Sequence, residues 1–266
     1  MNTLKTAILS LTVLLTVGCS TVPITGRRQL SLVSDQEVIA MSFQAYDETI
    51  KQSKLSTNAS QTAMVKRVGQ RVQRAVEQYM SANGFSAQLE GYQWEFNLIQ
   101  DDKQQNAFAM AGGKTAVYTG ILPITQDETG LAVVMGHEIA HAIAKHSNER
   151  ISQQMAQQYG GAALGAVVGA KSGAAQEVAN VVYGIGTGVG MLKYGRDQES
   201  EADQLGLIFM AMAGYNPEAA LSFWQRMAAN GGGGTPEFLS THPSSETRIS
   251  NIQKHLPEAK KYYKGR

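Results

Sequence analysis

The sequence predicts an α+β fold that is mainly helical, with a small β-sheet placed before one buried central helix. Three observations predict it. Val38, Met41, Ala45 and Ile50, and again Met64, Val65, Val68, Val72 and Val76, recur at helical spacing and give two amphipathic helices. Tyr92, Trp94, Phe96 and Leu98 alternate with period two, as in a half-buried strand, and Ala116-Val117-Tyr118-Thr119 after Gly112-Gly113 predicts a second strand. Leu131 to Met135, with Ile139, Ala140, Ile143 and Ala144, covers most of a helix surface with apolar groups, so that helix belongs inside. At 266 residues, 43% of them hydrophobic, the chain can bury one substantial core.

The elements follow in order. Residues 1–18 place Lys5 before an uncharged run from Thr6 to Gly18, which has the length of a secretory signal's apolar region and is too short to span a bilayer. Leu15-Thr16-Val17-Gly18-Cys19 resembles the lipobox of bacterial lipoproteins, in which cleavage before the cysteine leaves its thiol to carry diacylglycerol. Cys19 is the single cysteine, which excludes a disulfide framework and a four-cysteine zinc site. Ser20 after it implies, by the same resemblance, the periplasmic face of the outer membrane. We therefore expect a signal peptide at 1–18, a lipid-anchored tether at 19–33 containing Pro23 and Gly26, and a folded domain at 34–266.

Ser34 and Glu37 form a capping-box pattern at the domain's first helix, and Thr125 and Glu128 form another before the central helix. Residues 159–195 shift to Gly and Ala and are expected to form a lid or a closely packed hairpin, since neither uncharged run, 159–170 or 178–192, reaches spanning length. Asn216-Pro217 reads as an N-cap and first helical residue, Gly231 to Gly234 as a loop, and Thr247 to His255 as a terminal helix. Lys and Arg total 23 against 22 Asp and Glu, so the chain lacks the basic footprint of a nucleic-acid partner. Loss of residues 1–18 removes only Lys5 and leaves formal neutrality, so membrane attachment is expected from lipid and not from charge.

The chemistry concentrates in His137-Glu138-Ile139-Ala140-His141. Two histidines at i and i+4 on one helix present their rings on one face, close enough to share a zinc ion, and Glu138 projects beside that metal where it can take a proton from water. A catalytic zinc needs a third protein ligand. His146 lies about 140° around a continuous helix from His141 and cannot join the same metal from it, so it reads as an ordinary partly buried histidine or, alternatively, as a support that orients a metal ligand from behind. Glu199 and Asp203 are one turn apart on a common face. Glu199 can ligate zinc while Asp203 accepts the second imidazole N–H of a zinc histidine. Glu201, about 200° from Glu199, points elsewhere.

Four motifs together resemble the zincin-type metallopeptidase family that groups the CAAX prenyl protease, HtpX and BepA. They are Asn106-Ala107-Phe108-Ala109 with Gly112-Gly113 and Tyr118-Thr119-Gly120; Gly136 through His141 with His146, Glu149 and Arg150; Glu199-Ser200-Glu201-Ala202-Asp203; and His242-Pro243 with Arg248. Thr25-Gly26-Arg27-Arg28-Gln29-Leu30 is similar to the lead-in of the family's bacterial lipoprotein branch, while Ala111 stands where Pro is common. The resemblance implies one zinc per chain on His137, His141 and Glu199, with Glu138 as base. It further implies that His242, with Arg248 beside it, stabilises the tetrahedral intermediate or caps the metal at rest. No helical repeat extension is expected after Arg266.

The expected function is a periplasmic, lipid-anchored zinc endopeptidase acting on unfolded or misfolded envelope proteins, with an exposed strand near Asn106, Ala107 and Phe108 pairing with the extended substrate. The competing expectation is a non-proteolytic, chaperone-like envelope assembly lipoprotein that keeps zinc for structure. The intact Glu138 argues against it.

Overall fold

The structure, a computed structural model, describes residues 19–169, 195–229, 237–242 and 247–265. The expected signal peptide, residues 170–194 of the Gly/Ala-rich segment and the Gly231 to Gly234 loop lie outside them.

The expected tether is folded. β1 (Cys19–Thr21) pairs antiparallel with β2 (Arg28–Leu30), Cys19 opposite Leu30, and Gly26 turns the chain at φ 72°. Val22 is 1% exposed and joins the main core. Strands of three residues are too short to carry a periodic signal, so this hairpin left no trace in the pattern of apolar residues.

α1 (Asp35–Gln52) opens on the expected capping box, with the Ser34 hydroxyl accepting from the Glu37 N–H and the Glu37 carboxylate accepting from the Ser34 N–H. α2 (Ala59–Ala82) starts at Asn58, whose side chain accepts from the Gln61 N–H. A three-stranded sheet follows in the order β3-β5-β4, from β3 (Glu95–Ile99), β4 (Ala107–Met110) and β5 (Lys114–Tyr118). β3 runs parallel and β4 antiparallel to β5, so β4 is an edge strand.

α3 (Leu122–Thr125) is a single turn before the central α4 (Glu128–Ile143). Thr125 does not cap α4, because its hydroxyl donates back to the Leu122 carbonyl; Asp127 is the cap and accepts from the Gly130 N–H at 2.8 Å. Every residue of α4 from Gly130 to Ile143 is buried, which matches its all-round apolar sequence. α4 ends at Ala144, and Lys145 adopts φ 58°, a left-handed conformation that redirects the chain into α5 (His146–Gly169).

α6 (Arg196–Met212), α7 (Ala219–Ala229), the short α8 (Glu237–Thr241) and α9 (Thr247–Lys260) complete the described fold. α7 starts two residues after the expected Pro217, since Asn216 closes a turn onto the Glu218 N–H instead. α9 runs past the expected His255 and accommodates Pro257.

The main core gathers α2, α4, α6, α7 and one face of the sheet, while α1 covers a smaller cluster on the other face that includes Tyr46, Phe108 and Ile151. α4 and α6 cross where each carries a glycine. A Cβ on Gly136 would lie 2.9 Å from the Gly206 carbonyl oxygen, and one on Gly206 would lie 2.9 Å from the His137 nitrogen. The backbones touch there, one residue from His137.

Gly206→Ala is accordingly expected to destabilise the protein although alanine is the better helix former. The propensity gain of about 1 kcal/mol is smaller than the strain of overpacking a backbone contact, about 1–3 kcal/mol. Thermal unfolding reads the difference, and a variant that melts at or above the parent would show that the contact is loose.

Candidate zinc site

α4 sets His137 and His141 one turn apart, and α6 brings Glu199 against them. His242, directly after α8, closes the group. Donor atoms of these four buried residues lie within 4.8 Å of one another. His137 Nε2 is 3.1 Å from His141 Nε2 and 3.3 Å from His242 Nδ1, and Glu199 Oε1 is 3.3 Å from His141 Nε2 and 2.9 Å from His242 Nδ1. Converging imidazole nitrogens and one carboxylate are the donor chemistry zinc selects. Beside them, Glu138 Oε1 is buried without a hydrogen bond, with His242 Nε2 3.4 Å away. The residues fit a catalytic zinc together with a base.

The carboxylates set the electrostatics. Burial works against charge on His137, yet hydrogen bonds to Asp203 and Glu199 outweigh it and raise its pKa to about 9. Burial likewise opposes charge on Glu199, but His242 and the hydrogen bonds from His137 and His141 hold its carboxyl well below the usual range. Carboxylates that favour positive charge on His137 also suit a dication, whereas burial and the neighbouring His137 push His141 well below its ordinary value. For Glu138 burial prevails and pushes the carboxyl upward, against the nearby His242 and His137. The backbone N–H of Ala109 in β4 bonds to this carboxyl, which ties the edge strand to the base.

Asp203 Oδ1 lies 2.9 Å from His137 Nδ1, where it accepts the ring N–H. Arg248 sits differently from the expected oxyanion partner of His242. Its Nη1 donates to Glu199 at 3.0 Å and its Nη2 to Asp203 at 2.7 Å, while its guanidinium lies 3.4 Å over the Trp224 ring. Both terminal nitrogens are committed to carboxylates, so Arg248 orients the ligand Glu199 and the support Asp203. Asn106 precedes β4 and accepts from the Ala107 N–H, and Ala107 and Phe108 turn buried side chains inward. All four residues of β4 are buried, and the strand lies at the edge of the sheet.

Two contributors escaped the sequence reading. His146 is fully buried, not partly, and its Nδ1 lies 2.8 Å from His141 Nδ1. The angular argument assumed a continuous helix, whereas the turn at Lys145 carries His146 back against His141. Phe238 stacks on the His242 ring at 4.6 Å, and its N–H donates to the Gln105 carbonyl, joining α8 to the start of β4. No periodic signal marked Phe238.

Glu199→Ala should lower zinc occupancy, measured as zinc per chain, because it removes the one carboxylate of the donor group and leaves only neutral imidazoles. His242→Ala should loosen zinc in chelator competition without emptying the site. Equal zinc retention in wild type and His242→Ala would remove His242 from the ligand group.

Residues 66–256 match Peptidase family M48. The mitochondrial metalloendopeptidase OMA1 of Schizosaccharomyces pombe is 34% identical over 242 residues, covering 90% of this chain and 66% of that protein. The protein of the same name from Saccharomyces cerevisiae is 32% identical over 182 residues, covering 66% of this chain and 50% of its own. A putative beta-barrel assembly-enhancing protease of Vibrio cholerae is 33% identical over 161 residues, covering 59% of this chain and 33% of that protein. The chain thus spans between half and two thirds of the two OMA1 proteins. A family match that runs from α2 to α9, through every helix that carries a zinc donor, places the chain in peptidase family M48, a family of zinc metallopeptidases.

Proposed function

We propose that this chain is a zinc endopeptidase of the bacterial envelope that cleaves unfolded or misfolded proteins while held by lipid on Cys19 at the periplasmic face of the outer membrane. The observation that carries the peptidase reading is the buried, unbonded Oε1 of Glu138 beside the donor group, with an edge strand bonded to the same carboxyl. When bound, zinc supplies a Lewis acid that polarises the scissile carbonyl and activates water, whose pKa it lowers to roughly 7.

Glu138 takes the proton from the attacking water and delivers it to the departing amine, and its burial-raised pKa suits both transfers. β4, at the edge of the sheet, pairs with the peptide once the Asn106 side chain releases the Ala107 N–H, and so lays the chain alongside Glu138. Only an extended segment can add to a sheet edge, which favours unfolded substrates. His242, in the donor group, blocks the position a substrate carbonyl would take, so cleavage requires α8 to shift from β4.

The envelope setting is supported by the lipobox-like sequence before Cys19, by the exposure of Cys19 at the start of β1, and by the likeness to a protease named for β-barrel assembly. The chaperone-like alternative gains nothing from a base held so close to the metal.

Glu138→Gln should retain zinc and lower cleavage of an unfolded test protein by about 10²–10⁴. Cleavage at the parental rate would refute the assignment of the base, and a biological role surviving in that variant would favour the assembly reading. Cys19→Ala should move the protein from the membrane to the soluble fraction with its peptidase activity intact. Continued membrane association would transfer the anchor to another segment.

A further inference from the structure

A histidine that ligates a metal through Nε2 carries its proton on Nδ1, and the partner of that proton decides whether the tautomer is fixed. His141 turns Nε2 to the donor group, so its Nδ1–H donates to His146 Nδ1 at 2.8 Å. His146 then keeps its own proton on Nε2 and donates it to Glu201 Oε2 at 2.9 Å. Such a chain holds its direction only if it ends on an acceptor that cannot turn away.

Arg27 holds that acceptor. Its Nε donates to Glu201 Oε2 at 2.7 Å, and the Thr25 hydroxyl donates to Oε1. The remaining guanidinium nitrogens form a fork onto Glu149, at 2.8 Å to each oxygen, and Gln198 Nε2 donates to the same carboxylate at 2.7 Å. The fork fixes the guanidinium plane, which in turn fixes the Glu201 carboxylate.

We propose that Arg27, in the N-terminal hairpin, is a positioning residue that fixes the tautomer of the zinc ligand His141 through Glu201 and His146. Without Arg27 the Glu201 carboxylate is free to rotate from His146. His146 can then carry its proton on Nδ1, facing His141, and His141 is driven toward the tautomer whose Nε2 bears hydrogen and cannot bind metal. The hairpin that begins at Cys19 is thereby part of the metal site. The proposal rests on His141 as a zinc ligand and is independent of the substrate and location proposed above.

The test is zinc affinity by chelator competition on the full chain, together with the visible absorption of the cobalt-substituted protein, neither of which depends on proteolysis. Arg27→Met and Glu201→Gln should each weaken zinc about 10- to 100-fold and perturb the cobalt spectrum. Their combination should be no weaker than the worse single variant, because both break one chain. Arg28→Met, at the exposed neighbouring position, should bind zinc as the parent does. Unchanged affinity in Arg27→Met, or losses that multiply in the double variant, would overturn the proposal. If Arg27→Met does not fold, Arg27→Lys, which keeps the cation and loses the fork, enters the same cycle with the same two outcomes.

Discussion

Two helices can share a metal only if their backbones come close enough for short side chains to meet, and in this protein a pair of glycines sets that distance. Gly136 and Gly206 leave no room for a Cβ where α4 crosses α6. The contact fixes His137 on one helix relative to Glu199 and Asp203 on the other. Ordinary helix packing at 8–10 Å between axes leaves side chains between the backbones; here the backbones themselves form the contact. The donor distances of the site follow from this crossing and from the helical spacing of His137 and His141.

The crossing also brings several carboxylates into the interior, where unpaired charge is costly. α6 divides them between two faces. Glu199 and Asp203 meet the histidines and are bridged by Arg248, while Glu201 faces Arg27, which also holds Glu149 from α5. Each arginine therefore joins two carboxylates in geometry that a lysine would not reproduce. One cluster supports His137 through Asp203, and the other reaches His141 through Glu201 and His146. The two zinc histidines are thus oriented from opposite sides by separate buried networks.

Much of this arrangement was legible in the residues. The His-Glu-x-x-His helix, the turn between Glu199 and Asp203 and the buried character of α4 all follow from helical spacing, which local sequence records directly. What was not legible depended on features without a period. The short hairpin at 19–30 is held by Val22 and by Arg27's ion pairs, contacts between residues far apart in sequence. His146 was misjudged because a single left-handed residue, Lys145, breaks the helix on which the angular argument relied. The carboxylate partners of Arg248 were not legible because a motif names a neighbour of His242 and not the carboxylates that the neighbour binds. Gly136 entered only as the first residue of a motif and Gly206 carried no signal, and only their apposition shows that they set the helix crossing.

Retention of the metal and access to it fall to different parts of the fold. His137, His141 and Glu199 sit on two long helices locked at a backbone contact, so their geometry is maintained by the core itself. His242 follows a five-residue helix anchored by Phe238, which is buried in the main core against Trp224 and His137 and stacks on His242, and by a main-chain bond from Phe238 to Gln105. Under the proposed function, a peptide pairing with β4 would compete with that main-chain bond, because Gln105 lies two residues before the strand. On that proposal, substrate binding and displacement of the fourth donor would be coupled: a chain that adds to β4 would remove one of the contacts that keep α8 in place. An extended segment has the main-chain groups to do this and a folded surface does not, so the proposed preference for unfolded protein would arise before any side chain of the substrate is recognised.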